Sequence, residues 1–276
     1  MGGFENFQFM TSNVFVALGR GDGRFRPAYL TSTGDSNTRA LSVAVGDVTG
    51  DGKPDIVSNS AGQLSVLPGK GDGTFKQPIL SGSSGGVQNQ ILLGDVTGDG
   101  VTDAVAVIET GGRDFSAGDV IIEQGDGTGH FVEVRRIVTD TNLRGGALAD
   151  LTGDGRLDLA VNGRGGSNGG RSGMYVVLNS ASGLGAATYY ASGSGYLVAG
   201  DFNRDRRIDL AVDGPHSTTD VDLNQGKGRF QTGTRIVSSA APAAAGDVTG
   251  NPAPEIFSLP SAFSASFGYV IDTTRR

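Results

Sequence analysis

The chain of 276 residues contains no cysteine and no tryptophan, and only two histidines. Without cysteine, disulfide bonds cannot hold the fold together, and cysteine usage gives no evidence about the compartment. His130 and His216 stand in no metal-ligand or triad-like spacing, so we interpret both as surface residues. No apolar run approaches the length of a bilayer span, which predicts a protein without one. Met1 to Glu5 lack the charged and apolar regions of a signal peptide, which indicates a mature domain.

Helical periodicity and basic stretches are also scarce. The 47 glycines and 9 prolines, with little helical patterning, predict an all-β, turn-rich fold. The sequence has no basic stripe suited to a phosphate backbone, so we expect no nucleic-acid partner. The formal charge of −7 has a local origin, because fourteen of the 29 acidic residues lie in five short repeated segments.

These segments are nonapeptides with oxygen-bearing side chains at positions 1, 3, 5 and 9. The first reads Asp-Val-Thr-Gly-Asp-Gly-Lys-Pro-Asp and begins at Asp47. The side chains of the first four loops are Asp47, Thr49, Asp51 and Asp55; Asp95, Thr97, Asp99 and Asp103; Asp150, Thr152, Asp154 and Asp158; and Asp201, Asn203, Asp205 and Asp209. Position 7, which would offer its backbone carbonyl, is occupied by Lys53, Val101, Arg156 and Arg207.

Calcium suits such loops because it takes six to eight oxygen ligands, and the spacing resembles the first part of an EF-hand loop. Turn formation alone would explain one copy, but carboxylates held together without a cation repel each other. Arg206 replaces the position-6 glycine in the fourth loop, which predicts a weaker site. The fifth loop would hold a metal least well, since it keeps two acids among Asp247, Thr249, Asn251 and Glu255. We therefore predict three to four calcium ions, with the fifth loop as a weak site.

Bound calcium would also change the net charge of the protein. Four divalent ions would bring the formal charge from −7 to about +1. The acidic composition therefore indicates metal sites and predicts no general preference for cationic partners.

Successive loops begin 48, 55, 51 and 46 residues apart, a period typical of a propeller or solenoid. Each unit reads as a strand, the acidic loop, two more strands, a glycine turn and a fourth strand, which predicts a four-stranded propeller blade. The repeat units cover approximately 40–80, 90–137, 146–190, 196–237 and 243–276, and 14–30 completes or begins a terminal blade. We treat 1–276 as one propeller domain.

Glycine turns that end in phenylalanine are the second repeated signal. They run from Gly19 to Phe25, Gly69 to Phe75, Gly125 to Phe131 and Gly226 to Phe230, and each phenylalanine is expected to pack between blades. Arg20-Gly21-Asp22 occupies the same turn position as Lys70-Gly71-Asp72, so we interpret it as a turn and not as an adhesion motif.

With the acidic loops, these turns resemble the FG-GAP/VCBS repeat family over roughly residues 14–275. Its members include the calcium-binding propeller of integrin α subunits, fungal and bacterial lectins, and propellers attached to secreted enzymes. The resemblance implies a fold more firmly than a function.

The sequence indicates the number of blades less directly than the fold of each blade. Five acidic loops favour five blades, with the last blade closed by pairing of the two ends of the chain. Gly268 to Asp272 also reads as a third strand, and in the closing blade that strand would already be supplied by Val14 to Leu18. The alternative is therefore that the chain forms part of a six- or seven-bladed propeller.

The connections opposite the acidic loops are the longest, and binding loops tend to occur on such a rigid scaffold. The candidate ligand-binding residues there are Arg113, Phe115, Arg164, Asn168, Arg171, Tyr189, Tyr190 and His216. Without tryptophan, a sugar ring would have to stack on a tyrosine or on Phe115.

We expect a non-enzymatic, calcium-binding module for recognition or adhesion, lectin-like or protein-binding, secreted or at the cell surface. Loops that use a neutral threonine or asparagine suit millimolar extracellular calcium. The alternatives are a calcium-dependent polysaccharide-active enzyme of the lyase type and a structural spacer in a larger secreted protein. Asp220 and Asp222 lie two residues apart on one predicted strand and are candidates for catalysis. The alternative explanations are that the two carboxylates face a water-filled gap, or that the predicted strand register is shifted by one residue.

Overall fold

The computed structural model describes residues 13–34, 42–60, 62–82, 87–110, 117–165, 170–214, 218–237, 240–246 and 255–260. This part of the chain forms twenty β-strands and contains no helix, which confirms the predicted all-β class. Accordingly, it has no helix long and apolar enough to cross a membrane.

Sixteen of the strands form four antiparallel sheets of four, and each sheet follows chain order, as expected of propeller blades. The first blade contains β3 (Val43–Gly46), β4 (Asp55–Ser60), β5 (Gln63–Leu67) and β6 (Ile79–Ser81). The second contains β7 (Val87–Gly94), β8 (Asp103–Glu109), β9 (Gly118–Gly125) and β10 (Phe131–Thr139). The third contains β11 (Asn142–Ala149), β12 (Asp158–Arg164), β13 (Gly173–Ser180) and β14 (Gly183–Tyr190). The fourth contains β15 (Leu197–Gly200), β16 (Asp209–Gly214), β17 (Thr218–Asn224) and β18 (Phe230–Val237).

Two further sheets have only two strands each. One pairs β1 (Asn13–Val16) with β2 (Tyr29–Ser32), and the other pairs β19 (Ala240–Gly246) with β20 (Glu255–Pro260). Within the described residues neither pair joins another sheet, so closure into five blades stays a prediction. The first pair is tied to the first blade, because the Ser65 hydroxyl donates to the Thr33 carbonyl.

The hydrophobic core lies in layers between neighbouring blades. Between the second and third blades, Val105, Val107 and Ile122 meet Leu143 and Val161, all at most 1% exposed. Similar layers join the first blade to the second and the third to the fourth. Burial of this apolar area therefore stabilises the stacking of blades as well as each blade.

The glycine turns form hairpins, as predicted. Gly19 and Phe25 form an isolated bridge, as do Gly69 and Phe75. Phe131 is 3% exposed in the layer between the first two blades, which confirms its predicted packing. Phe25 is 62% exposed, so the same prediction is wrong there, since no described blade precedes its turn.

The sequence Arg20-Gly21-Asp22 lies in the first of these hairpins. The Arg20 N–H donates to the Arg24 carbonyl at 2.8 Å, and the Arg24 N–H donates to Asp22 Oδ1 at 3.0 Å. Hydrogen bonding within the turn therefore confirms its interpretation as turn chemistry.

The strands extend further than the apolar pattern indicates. Tyr189 and Tyr190, predicted in the connection after the third blade, instead end β14. Between β11 and β12 the register shifts by one residue from Leu143 to Gly145. Such a bulge leaves one residue unpaired, disrupts the ladder locally and increases the local twist of the strand.

Adjacent blades are also joined by buried asparagines that end the third strand. In the third blade, Asn179 Nδ2 donates to the Val96 carbonyl of the second blade at 2.9 Å and to the Leu157 carbonyl at 3.2 Å. In the fourth blade, Asn224 Nδ2 donates to the Leu151 carbonyl of the third at 2.8 Å. Each amide therefore links its own blade to the acidic loop of the preceding one.

We expect Asn179→Ala to lower the free energy of unfolding by about 2 kcal/mol, because it leaves two carbonyls without their amide donor. Urea unfolding in chelator measures this loss. Gln225→Ala, on an exposed turn, is the control and should change stability by less than about 0.5 kcal/mol. Equal stability of Asn179→Ala and the unmodified protein would show that the amide does not join the blades.

Candidate functional site

The four described acidic loops connect the first and second strands of their blades. Position 1 directly follows the first strand, and position 9 is the first residue of the second strand. The loops therefore share one side of the blades, as the sequence predicts. In the fifth loop Asp247, Thr249 and Asn251 lie outside the described residues, whereas Glu255 begins β20.

The position-9 carboxylates, Asp55, Asp103, Asp158 and Asp209, are all completely buried. In the second loop Asp103 Oδ2 accepts hydrogen bonds from the N–H groups of Val96 and Thr97, both at 2.9 Å. Its Oδ1 accepts from the N–H of Gly125 at 3.0 Å. This carboxylate fastens the start of the acidic loop to the end of the third strand. The first and third loops repeat all three bonds.

The position-1 carboxylates hold the turn of each loop. Asp47, Asp95, Asp150 and Asp201 each accept the N–H of the position-6 residue, at 2.8 to 2.9 Å. Positions 4 and 6 are glycines with positive φ in the first three loops, for example 82° at Gly98 and 84° at Gly100. In the fourth loop Arg204 and Arg206 adopt φ of 64° and 67°. The turn therefore survives the loss of glycine, at a steric cost of about 1 to 2 kcal/mol per residue.

The position-5 carboxylates are the most exposed of the three. Each accepts the N–H of position 7, as Asp99 Oδ1 does from Val101 at 2.8 Å. The outer oxygen Asp99 Oδ2 accepts from Gln124 Nε2 at 2.7 Å. In the other three loops Asp51, Asp154 and Asp205 pair instead with Lys53, Arg156 and Arg207. Such exposed ion pairs are weak, so a divalent cation would displace them at little cost.

Hydrogen bonding and burial shift the acidities of these groups in opposite directions. Donation from Gln124 and Val101 lowers the pKa of Asp99. Partial burial opposes ionisation of Asp150, but the N–H groups of Gly155 and Gly153 outweigh it and lower the pKa. At position 9, burial raises the pKa of Asp158, and the nearby carboxylates act in the same direction. In the third loop, burial therefore opposes ionisation most at the innermost carboxylate.

The oxygen donors of the loops fit a calcium ion. Within the described ranges, no three acidic or histidine side chains form a ready-made metal cage. In the first acidic loop, two buried oxygens nevertheless have no hydrogen-bond partner: Asp47 Oδ1 and Thr49 Oγ1. They occupy positions 1 and 3, where the spacing expects ligands. A buried oxygen without a partner costs free energy. A cation coordinated by these oxygens would remove that cost and therefore fits the loops.

The other predicted residues were expected on the opposite face. Arg113, Phe115, Asn168 and His216 lie outside the described residues. Arg164 ends β12, and its Nη2 lies 3.7 Å from Asp213 Oδ2. The Tyr190 ring packs edge to face against Phe230 at 5.7 Å, and its hydroxyl donates to the Gly228 carbonyl at 3.2 Å. Tyr190 therefore serves packing between the third and fourth blades.

Arg171 and Tyr189 do lie together, and two unpredicted residues join them. The Arg171 Cζ lies 5.2 Å from the centroid of the Tyr189 ring, which lies 5.3 Å from the Tyr175 ring. The Tyr175 hydroxyl donates to Asp140. Sequence analysis missed Tyr175 because it lies among the apolar residues of a strand, where an aromatic side chain is expected to pack in the core.

The candidate pair Asp220 and Asp222 is engaged within the protein. Asp220 accepts two hydrogen bonds from the Arg235 guanidinium, at 2.7 and 2.9 Å. The Ser192 hydroxyl donates to Asp222, and both carboxylates are at most 4% exposed. This arrangement resembles a structural ion pair and a buried hydrogen bond more than a catalytic pair.

Comparison with solved structures shows a shared fold. A lectin of Agrocybe aegerita, described as recognising non-reducing terminal N-acetylglucosamine, is 22% identical with a TM-score of 0.53. The match covers 80% of this chain and 59% of the lectin chain. BBS1N, solved in complex with ARL6DN, is 12% identical with a TM-score of 0.50, over 78% of this chain and 62% of that one. The chain thus spans about three fifths of both.

Sequence comparison gives the family. No match was found among curated proteins. The FG-GAP-like repeat model matches three overlapping segments, 8–58, 47–106 and 95–161. Together these segments span more than half of the chain and contain the first three acidic loops, so the protein belongs to the FG-GAP-like repeat family.

Proposed function

We propose that this protein is a non-enzymatic extracellular recognition module, stiffened by calcium, that binds a glycan or a protein through the face opposite the acidic loops. The observation that carries the proposal is the repeated loop frame, in which four loops hold three carboxylates each in the same positions. A rigid scaffold with variable connections on the other face is the usual arrangement for binding.

The calcium part of the proposal rests on the donor set. Positions 1, 3 and 5 and the position-7 carbonyl would hold the ion, and position 9 would contribute one of its buried oxygens. Calcium would supply positive charge that relieves repulsion among the carboxylates. The chain's own contribution is to fix the loop through backbone N–H groups before an ion arrives, as seen at Asp103 and Asp95.

Recognition, and not catalysis, is favoured because the candidate catalytic pair is engaged within the protein, Asp220 by the Arg235 guanidinium and Asp222 by the Ser192 hydroxyl. Family membership and the likeness to a lectin support binding of a glycan or protein, although at 22% identity the likeness concerns the fold. A low-millimolar affinity of the loops for calcium would suit an extracellular protein.

The proposal is tested by binding of the purified protein to an oligosaccharide array, to immobilised collagen and to immobilised fibronectin. We expect binding to at least one of these probes at about 1 mM calcium, and its loss in chelator. Unchanged binding in chelator would contradict the calcium part. Binding to none of the probes, or cleavage of an acidic polysaccharide, would contradict the recognition part.

A further inference from the structure

One polar and aromatic cluster on the face opposite the acidic loops has the composition of a ligand site. It consists of Asp140, after β10, Arg171, before β13, Tyr175 in β13 and Tyr189 in β14. We call these four residues the tyrosine–arginine cluster. They come from the connections and strand ends of the second and third blades, which bring residues 35 positions apart into contact.

The cluster is held in place from several sides. The Arg171 N–H donates to the Asp140 carbonyl at 3.2 Å, and the Thr141 hydroxyl donates to the Arg171 carbonyl. The Tyr189 hydroxyl donates to the Ser172 carbonyl at 2.8 Å. The backbone around Arg171 is therefore fixed beside Asp140 without using the charged end of either side chain.

Glycine at position 173 makes room for the aromatic part. A Cβ atom there would lie 2.8 Å from Tyr189 Cε2, closer than side chains tolerate. The Tyr189 ring thus lies directly over the backbone, and it meets the Tyr175 ring at a tilt of 57°. The two rings give a fixed, partly exposed apolar surface.

The charged groups at the edge of this aromatic surface can still form hydrogen bonds with a ligand. Arg171 Nε lies 3.6 Å from Asp140 Oδ2, which is longer than a hydrogen bond. Their side chains are 61% and 53% exposed. Burial and the bond to Asp140 raise the pKa of Tyr175 to about 12, so its hydroxyl remains a donor that orients the carboxylate. Donors of Arg171 and acceptors of Asp140 are thus presented side by side.

Among the four-stranded blades that the structure describes, the other three lack this combination at the same register. Tyr175 pairs with Val161 of β12 and Tyr189 of β14. The equivalent pairs are Ser65 with Leu80, Ile121 with Arg136, and Asp220 with Arg235. Among these four blades the tyrosine pair therefore occurs in the third alone, and the repeat does not require it.

We propose that the tyrosine–arginine cluster binds an uncharged saccharide with adjacent hydroxyl groups; this rests on, and narrows, the recognition function proposed above. The apolar face of a sugar ring suits the tyrosine surface, and a pair of neighbouring hydroxyls suits a guanidinium donor beside a carboxylate acceptor. Asp140 disfavours an anionic ligand at Arg171, and Arg171 disfavours a cationic one at Asp140.

The test compares variants of the full chain on an oligosaccharide array that includes chains ending in N-acetylglucosamine, in calcium. The unmodified protein should bind at least one uncharged glycan. Tyr189→Ala and Arg171→Ala should each weaken that binding by at least about tenfold. Tyr196→Ala removes another exposed tyrosine, 55% exposed and outside the cluster, and should bind as the unmodified protein does.

Thermal melts of each variant separate loss of binding from loss of folding. If Tyr189→Ala lowers the melting temperature, its place in the comparison is taken by Arg171→Ala, at an exposed position, and by the conservative Tyr189→Phe. Tyr189→Phe should keep most of the affinity for the glycan. Glycan binding that survives Tyr189→Ala and Arg171→Ala overturns the assignment of the cluster and leaves the recognition function standing. Binding of the unmodified protein to collagen or fibronectin but to no glycan overturns the saccharide proposal alone.

Discussion

Asp103→Ala is expected to lower the free energy of unfolding by at least about 3 kcal/mol, even in chelator. The reason is that the Asp103 carboxylate is completely buried and accepts three backbone hydrogen bonds. Alanine would leave the N–H groups of Val96, Thr97 and Gly125 without an acceptor, two of them in fully buried bonds. Urea unfolding followed by circular dichroism measures the loss.

Asp99→Ala is the matched control because it removes a carboxylate from the same loop. Asp99 is exposed, and its outer oxygen accepts a hydrogen bond from the Gln124 amide. We expect its midpoint of unfolding in chelator to stay at that of the unmodified protein. In calcium, however, Asp99→Ala should lose the stabilisation that the second loop contributes.

The two variants thus separate two roles that the sequence pattern combines. If Asp103→Ala unfolded at the same urea concentration as Asp99→Ala in chelator, the position-9 carboxylate would act only as a metal ligand. If both variants were destabilised equally and strongly, the loop as a whole would be needed for folding. A large effect confined to Asp103→Ala would establish the carboxylate as a structural tie.

Features encoded within a few residues could be predicted from the sequence. The acidic loops, the glycine turns and four strands per repeat follow from local spacing, and the structure contains them in that order. The turn at Arg20-Gly21-Asp22 could be predicted for the same reason. Local hydrogen-bonding capacity and backbone preferences are sufficient for such elements.

Features that depend on partners far along the chain could not be predicted in this way. The spacing places an oxygen at Asp103 but does not reveal the bond to Gly125, which comes from the third strand, 22 residues later. Likewise Asp140 and Tyr175 meet only because β10 ends on the face where β13 begins. Blade stacking creates these contacts, and no periodicity in the sequence reports them.

Removal of calcium is expected to have the largest effect on stability of all. Calcium in tenfold excess over the dissociation constant of each of four loops would add about 6 kcal/mol to the free energy of unfolding. The melting temperature should therefore rise steadily with calcium concentration above its value in chelator. Magnesium at the same concentration should raise it less, since magnesium requires a tighter octahedral set of ligands than these loops present.

Variants of single loops measure how much each loop contributes to the stabilisation by calcium. Asp51→Ala, Asp99→Ala and Asp154→Ala should each remove one ion from a calorimetric titration and a similar share of the rise in melting temperature. Asp205→Ala should remove a smaller share, because Arg204 and Arg206 hold the fourth loop in a conformation that favours glycine. Equal melting temperatures in calcium and chelator would mean that backbone N–H groups satisfy the carboxylates sufficiently. The loops would then be turns alone, and the buried oxygens of Asp47 and Thr49 would need another partner.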